Sequence, residues 1–298
     1  MTADVWPVTE QFVAEIGDVD LAKPLSDADW RTIEDAFETY GVLVFPDQTL
    51  TQQQHVDFAL RFGPIDPSMV ADVEDTPVRI RTDIADVSNL DDEGNIWGQD
   101  DRLRLFQMGN RLWHTDSSFK RVPAKASLLY MQEVAPVGGH TEFADMRAAW
   151  DALDDKMKAR IEGRVALHAI AYSRAKQGFK MTEGEQDALP PVPQTLVRHH
   201  AASGRTSLYI ASHAGEVVGM DKDEGTALLD ALMAHATQRQ FVQTHRWRTN
   251  DLVMWDNRCT MHRGLAFDDL RWRRDAQRAT ILDVAPTCEQ EGIPVAAE

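Results

Sequence analysis

Asp251-Leu252-Val253-Met254-Trp255-Asp256-Asn257-Arg258-Cys259-Thr260-Met261-His262-Arg263-Gly264 reads as an apolar strand, a polar turn and a return that arrives at a histidine. Taken alone, a histidine near a strand end is more often a satisfied polar side chain than a metal ligand. Further strand-like runs lie at 126–134, 207–210 and 279–284, separated by Gly, Pro and Asp turns. Towards the N-terminus the period changes. Residues 26–40 read as an amphipathic helix, with Ser26 able to cap it, Trp30, Ile33 and Phe37 on one stripe and Gly41 as the stop. A valine-rich run at 41–45 suits a buried strand. Thr51-Gln52-Gln53-Gln54 then has the pattern of a capping box opening a helix over 51–62. The expectation is a mainly β protein with flanking helices (α+β), a single domain spanning 1–298.

Two stretches break this pattern. Residues 82–101 hold seven Asp or Glu and no Lys or Arg, with Gly94 and Gly98 interrupting any periodicity, which reads as a mobile surface excursion. Residues 177–193 are polar and punctuated by Pro, too long for a simple turn. Lid-like insertions are therefore expected near 68–110 and 172–193.

Composition excludes several classes of partner. A formal charge of -17 opposes nonspecific binding to nucleic acid or to an anionic membrane surface. No apolar run approaches the ~20 residues that cross a bilayer, and residues 1–12 lack the pattern of a signal peptide, so a cytoplasmic location is expected. Cys259 and Cys288 are too few for a disulfide scaffold or a thiolate zinc site, and both read as free thiols. Homo-oligomerisation is left open.

The pattern that carries chemistry is a histidine two residues before a carboxylate, because on an extended strand residues i and i+2 project from one face and can grip one ion. Three pairs fit: His55/Asp57, His114/Asp116 and His140/Glu142. The first lies in the capped helix, where two residues are separated by about 200° around the axis, so it cannot share a metal. His140/Glu142 follows a Gly-Gly turn and is not excluded by local geometry. His114/Asp116 sits between Leu112-Trp113 and Ser117-Ser118-Phe119, which suits a strand ending at a polar mouth. Two His and one carboxylate on one face of an octahedron leave three positions open for co-substrate and O₂, as in non-haem Fe(II) oxygenases.

The opening stretch now has a wider meaning. Its Trp-Asp-Asn-Arg-Cys and Met-His-Arg steps, together with 112–119, 136–153, 235–263 and 273–280, resemble the taurine dioxygenase and 2,4-dichlorophenoxyacetate dioxygenase family of 2-oxoglutarate oxygenases. The likeness covers nearly the whole chain and lies nearest the aryloxyacetate branch. It implies a double-stranded β-helix (jelly-roll) core and Fe(II) held by His114, Asp116 and His262, with 2-oxoglutarate and O₂ as co-substrates. It also implies Arg274 and Thr141 as the anchor of the distal carboxylate of 2-oxoglutarate, and Arg278 as meeting either the substrate anion or the proximal carboxylate of 2-oxoglutarate, with His200 and His213 as further contacts to a small anionic aromatic substrate. A planar guanidinium suits a carboxylate because it gives two parallel hydrogen bonds. Arg271 and Arg273 read as a solvated basic strand end. Tyr172, Phe179 and Tyr209 could wall an aromatic pocket, although core packing explains each as well. The implied reaction hydroxylates the carbon beside an ether oxygen, giving a hemiacetal that collapses to a phenol and glyoxylate, with succinate and CO₂ from 2-oxoglutarate. The alternatives are a sulfonate or alkyl sulfate dioxygenase using the same iron site and, from another class, a jelly-roll metalloenzyme with no oxygenase activity. Against the latter stands the Arg274/Thr141 pair.

Overall fold

The computed structural model describes residues 3–66 and 79–295. Its largest sheet has seven strands in the order Asp4–Pro7, Val13–Gly17, Val42–Phe45, Leu252–Asp256, Ala124–Glu133, Asp275–Leu282 and Ala85–Asp86. All neighbours are antiparallel except Val13–Gly17 with Val42–Phe45. A second sheet has Thr141–Asp145 at its centre, flanked by Val242–His245 and Thr260–Gly264. The stretch that opened the sequence reading is thus a hairpin whose two arms belong to different sheets.

Side-chain alternation shows how the layers stack. On the large sheet Leu43, Phe45, Leu128, Tyr130, Leu252 and Met254 point outwards. There they meet Ile33, Ala36 and Phe37 of the helix Asp27–Thr39, and Val56, Phe58 and Ala59 of the helix Gln52–Leu60. Their neighbours Val42, Val44, Leu129, Met131, Val253 and Trp255 point inwards and join Phe143 of the second sheet. This period of two with both faces covered explains why these strands are apolar almost throughout. The second sheet turns Ala144 and Met261 to its far side, onto the helix Lys222–Ala236 and the strands Val165–His168 and Ala214–Val217. Two sheets packed face to face over one interior, with helices outside, form the jelly-roll core.

The helix caps follow the sequence. Ser26 Oγ accepts from the Asp29 amide at 3.1 Å. Thr51 Oγ1 accepts from the Gln54 amide at 3.2 Å, while Gln54 Oε1 accepts from the Thr51 amide at 2.9 Å, which completes the capping box. The acidic stretch corrects the sequence reading. Residues 68–78 of the expected insertion lie outside the described residues, but much of 82–101 is packed against the sheet rather than held away from it. Ala85–Asp86 adds a strand to the Asp275–Leu282 edge, and Ser88, Asn89, Leu90 and Trp97 are buried. The acidic side chains mark only the solvent face of this segment. No helix among the described residues is long and apolar enough to cross a membrane.

Candidate metal centre and anion cavity

His262 lies on the inner face of the Thr260–Gly264 strand, opposite Phe143 in the register. His114 reaches it through a single antiparallel bridge: the His114 amide donates to the His262 carbonyl at 3.0 Å, and the His262 amide donates back at 2.7 Å. The segment around His114 is therefore an extended bridge and not the full strand expected from sequence, and a turn begins at Asp116. The i, i+2 geometry still holds, because extended backbone is enough to place both side chains on one side. His114 Nε2 lies 3.8 Å from Asp116 Oδ1, and His262 Nε2 lies 3.7 Å from Asp116 Oδ2. One ligand atom from each of the three residues falls within 4.8 Å of the others, and all three residues are buried. Among the described residues this is the one such group.

The surroundings fix the donor atoms. His114 Nδ1 lies 2.8 Å from the Leu112 carbonyl, which can only accept, so Nδ1 carries the proton and Nε2 presents its lone pair to the site. His262 sits between the Phe143 and Trp255 rings, and its Nδ1 is buried without a partner. Burial pushes both imidazoles below the usual histidine range, keeping them neutral and able to ligate. Burial pushes the Asp116 carboxyl up, but the positive charge of the Arg278 guanidinium outweighs it and helps hold the carboxyl at about 2. Ser127 Oγ donates to Asp116 Oδ2 at 2.7 Å, and Arg278 Nη1 donates to Oδ1 at 2.5 Å. Two neutral imidazole nitrogens and an ionised carboxylate fit a divalent iron ion of the 2-His-1-carboxylate kind.

His114 and His262 border a cavity that Arg274, Arg278 and Thr141 also line. Both arginines reach the cavity, Arg278 from within the strand Asp275–Leu282 and Arg274 from the residue just before it. Arg274 bonds the Val87 carbonyl at 3.1 Å, and among the described residues it has no carboxylate partner; burial pushes its guanidinium down to about 10. Trp247 Nε1 donates to Thr141 Oγ1 at 2.9 Å. An indole N–H can only donate, so the Thr141 hydroxyl accepts there and keeps its own hydrogen for another acceptor. The remaining two arginines of the cluster are engaged elsewhere, Arg273 with Glu133 and Arg271 over the Trp272 ring.

Other candidates fall away. Glu142 is held by Arg263 at 2.8 Å, which removes His140/Glu142 as an ion site. His55 is buried in its helix with Nε2 on the Leu128 carbonyl at 3.1 Å. His200 is a correction: it binds Ser207 Oγ at 2.9 Å beside the Asp256/Arg258 pair and is not part of the cavity wall, because its strand, Val197–His200, belongs to a separate two-stranded ribbon. His213 does not line the cavity either, but its ring meets the His114 ring edge-on with centroids 6.0 Å apart. Of the two readings open for Tyr172, Phe179 and Tyr209, packing away from the cavity holds. Phe179 packs on Phe106, Tyr209 stacks on His168 and Tyr172 reaches Glu216, whereas Trp97, Trp255 and Phe267 line the cavity.

Sequence reasoning missed three supports. Asn257 Oδ1 accepts from the Asp116 amide at 3.1 Å and from Trp255 Nε1 at 3.0 Å, while its Nδ2 donates to Ser127 Oγ at 2.9 Å. Ser127 carried a signal, being a small hydroxyl residue inside an otherwise largely apolar strand. Asn89 orients the anchor, accepting from the Arg274 amide at 2.8 Å and donating to the Asp269 and Trp272 carbonyls. Its place in an acidic stretch gave no hint of that.

The family described as taurine catabolism dioxygenase TauD, TfdA matches residues 4–280. The chain is 43% identical over 281 residues to the alpha-ketoglutarate-dependent 2,4-dichlorophenoxyacetate dioxygenase of Cupriavidus pinatubonensis, covering 94% of this chain and 97% of that one. It is 38% identical to the (S)-phenoxypropionate/alpha-ketoglutarate-dioxygenase of Sphingobium herbicidovorans, covering 89% of this chain and 90% of the relative. The crystal structure of AAD-2 in complex with Mn(II) and N-oxalylglycine superposes with a TM-score of 0.88 at 45% identity, covering 96% of this chain and 99% of that one.

Proposed function

Because this chain belongs to the TauD, TfdA family and is an Fe(II)- and 2-oxoglutarate-dependent dioxygenase, we propose that it cleaves the ether of aryloxyacetates to a phenol and glyoxylate. The overall balance is aryloxyacetate, 2-oxoglutarate and O₂ to phenol, glyoxylate, succinate and CO₂. Fe(II), when bound, supplies the chemistry that couples decarboxylation of 2-oxoglutarate to hydroxylation of the substrate carbon.

In this reading His114, Asp116 and His262 hold the metal through Nε2, a carboxylate oxygen and Nε2. Arg274 and the free hydrogen of the Thr141 hydroxyl receive the distal carboxylate of 2-oxoglutarate, a charge-assisted pairing. Arg278 orients Asp116 and faces the proximal carboxylate. Hydroxylation of the methylene between ether oxygen and carboxylate gives a hemiacetal, whose C–O bond breaks as the phenol leaves. The chain's part in this is to bind, orient and shield. The observation that carries the reading is a buried two-histidine, one-carboxylate group opening on a cavity with an arginine that has no carboxylate partner among the described residues.

The test is an anaerobic spectrum of protein with Fe(II) and 2-oxoglutarate, followed by aerobic product analysis. A weak visible charge-transfer band is expected, lost in His114→Ala and His262→Ala and retained in His55→Ala. Phenoxyacetate-type acids should then give phenol and succinate in preference to taurine, an alkyl sulfate or a cinnamate-type acid. Preferred succinate release with either sulfur compound would overturn the substrate while leaving the oxygenase class intact.

A further inference from the structure

We propose that Trp247 is a positioning residue for the co-substrate: its indole N–H turns the Thr141 hydroxyl so that the hydroxyl hydrogen faces the distal carboxylate, and it thereby helps the enzyme select 2-oxo acids that carry one. The proposal rests on the reading of Thr141 and Arg274 as the 2-oxoglutarate anchor and deepens it by naming what orients the neutral half of that anchor.

The two halves differ in how they are fixed. The Arg274 donors are set by the guanidinium plane, which the Val87 carbonyl holds at 3.1 Å. A threonine hydroxyl has no such plane, and its hydrogen rotates to whatever acceptor the surroundings offer. Among the described residues the one hydrogen bond of Thr141 Oγ1 is the one it accepts from Trp247 Nε1 at 2.9 Å. Thr141 is buried and lines the cavity, whereas Trp247 stands behind it, outside the cavity lining. The indole therefore occupies a lone pair on the protein side and leaves the hydrogen to the cavity side.

The sequence around Trp247 holds the ring in place. His245 lies opposite Thr141 in the strand register, and Trp247 follows two residues later. The body of the indole is buried with Phe143, Val253 and Trp255 between the two sheets. The His245 ring meets it edge-on, with centroids 4.6 Å apart and planes at 86°. His245 Nε2 is in turn 3.0 Å from Asp251 Oδ2, which also accepts from the Arg248 amide at 2.9 Å, and Asp251 is buried. A buried carboxylate thus closes the turn that carries the indole, and a buried tryptophan N–H needs an acceptor, which here is Thr141.

The experiment uses the full chain with Fe(II) without oxygen and follows the charge-transfer band during titration with 2-oxoglutarate and, separately, with 2-oxopentanoate. The second acid has the same keto-acid head and chain length but a methyl end in place of the distal carboxylate. Trp247→Phe is expected to weaken 2-oxoglutarate about 10-fold, the scale of one hydrogen bond to a charged group. Binding of 2-oxopentanoate stays unchanged, which shows that the metal site is intact in the variant. Thr141→Val gives the same selective loss, and the double variant is no weaker than Thr141→Val alone, because both residues act through one hydrogen bond. Thr141→Ser keeps the hydroxyl, stays near wild type and still responds to Trp247→Phe. In aerobic turnover the loss falls on the KM for 2-oxoglutarate and not on kcat. Equal losses for the two acids, or additive losses in the double variant, would overturn the assignment. A selective loss in Thr141→Val with none in Trp247→Phe would overturn Trp247 alone and leave the anchor standing. No loss in either variant would remove Thr141 from the anchor and the proposal with it, leaving the metal ligands and Arg274 untouched.

Discussion

The residues around Asp116 show how much of a metal site lies outside its ligands. Ser127 holds one carboxylate oxygen and Asn257 holds the backbone amide and Ser127 itself, so the ligand is fixed on two sides before any ion arrives. Ser127→Ala should therefore lower Fe(II) affinity by about 10- to 100-fold, the usual cost of losing an outer partner of a ligand, with little change in melting temperature. Metal titration followed by the charge-transfer band would measure it, and unchanged affinity would mean that Arg278 alone suffices. Arg274→Ala should raise the KM for 2-oxoglutarate strongly, by about 2 to 5 kcal/mol in binding, because the distal carboxylate loses its charged partner. Arg274→Lys should recover part of this, since a point charge replaces the fork. At this scale the grouping of His114 with Asp116 was legible from a spacing rule, and that of His262 with them from resemblance. The sequence was not legible at Asn89, whose meaning comes from partners far away in the chain. His200 is the opposite case, a plausible histidine that the fold turns towards Ser207.

Among the elements, the helix Gln52–Leu60 was read almost to its ends because capping is a local code. The same helix carries a long-range latch that no local code announces: buried His55 bonds the Leu128 carbonyl of the central strand Ala124–Glu133. Burial pushes the His55 imidazole down to about 4. The unfolded chain takes up this proton near pH 6.5 and the folded chain only near 4, so the stability tied to His55 is complete above 6.5 and is lost as pH falls towards 4. The loss at pH 4 is ~3 kcal/mol from the size of that shift. Urea midpoints at pH 7 and 4.5 should fall more for the wild type than for His55→Gln; parallel curves would show that His55 is not an acid-sensitive latch. The segment 82–101 was misread because composition was taken as a statement about the whole segment, when it described one face. Its apolar and amide side chains, Leu90, Trp97 and Asn89, face the protein.

For the molecule as a whole, the sheet order could not be derived from periodicity, since the central strands are covered on both faces and their pairings span most of the chain; the jelly roll came from resemblance. The net charge was legible from the start and has a kinetic consequence. At -17 the protein repels dianionic 2-oxoglutarate over a distance set by salt, about 30 Å at 0.01 M and about 10 Å at 0.1 M. The association rate, followed by stopped-flow appearance of the band, should rise over that range; a fall would mean that the field of the cavity arginines governs capture.

The hairpin shared by the two sheets sets a timetable for synthesis. The strand Leu252–Asp256 lies in the middle of the large sheet, between Val42–Phe45 and Ala124–Glu133, and its second arm carries His262. A chain still growing on the ribosome has His114 and Asp116 long before it has the strand that closes the sheet, the third ligand or the anchoring arginines. Until then the early strands have an unfilled gap between them and the two ligands form an incomplete chelate. Iron acquisition and closure of the scaffold thus belong to one late event, and a nascent chain stalled before residue 250 should neither retain the metal nor resist a protease.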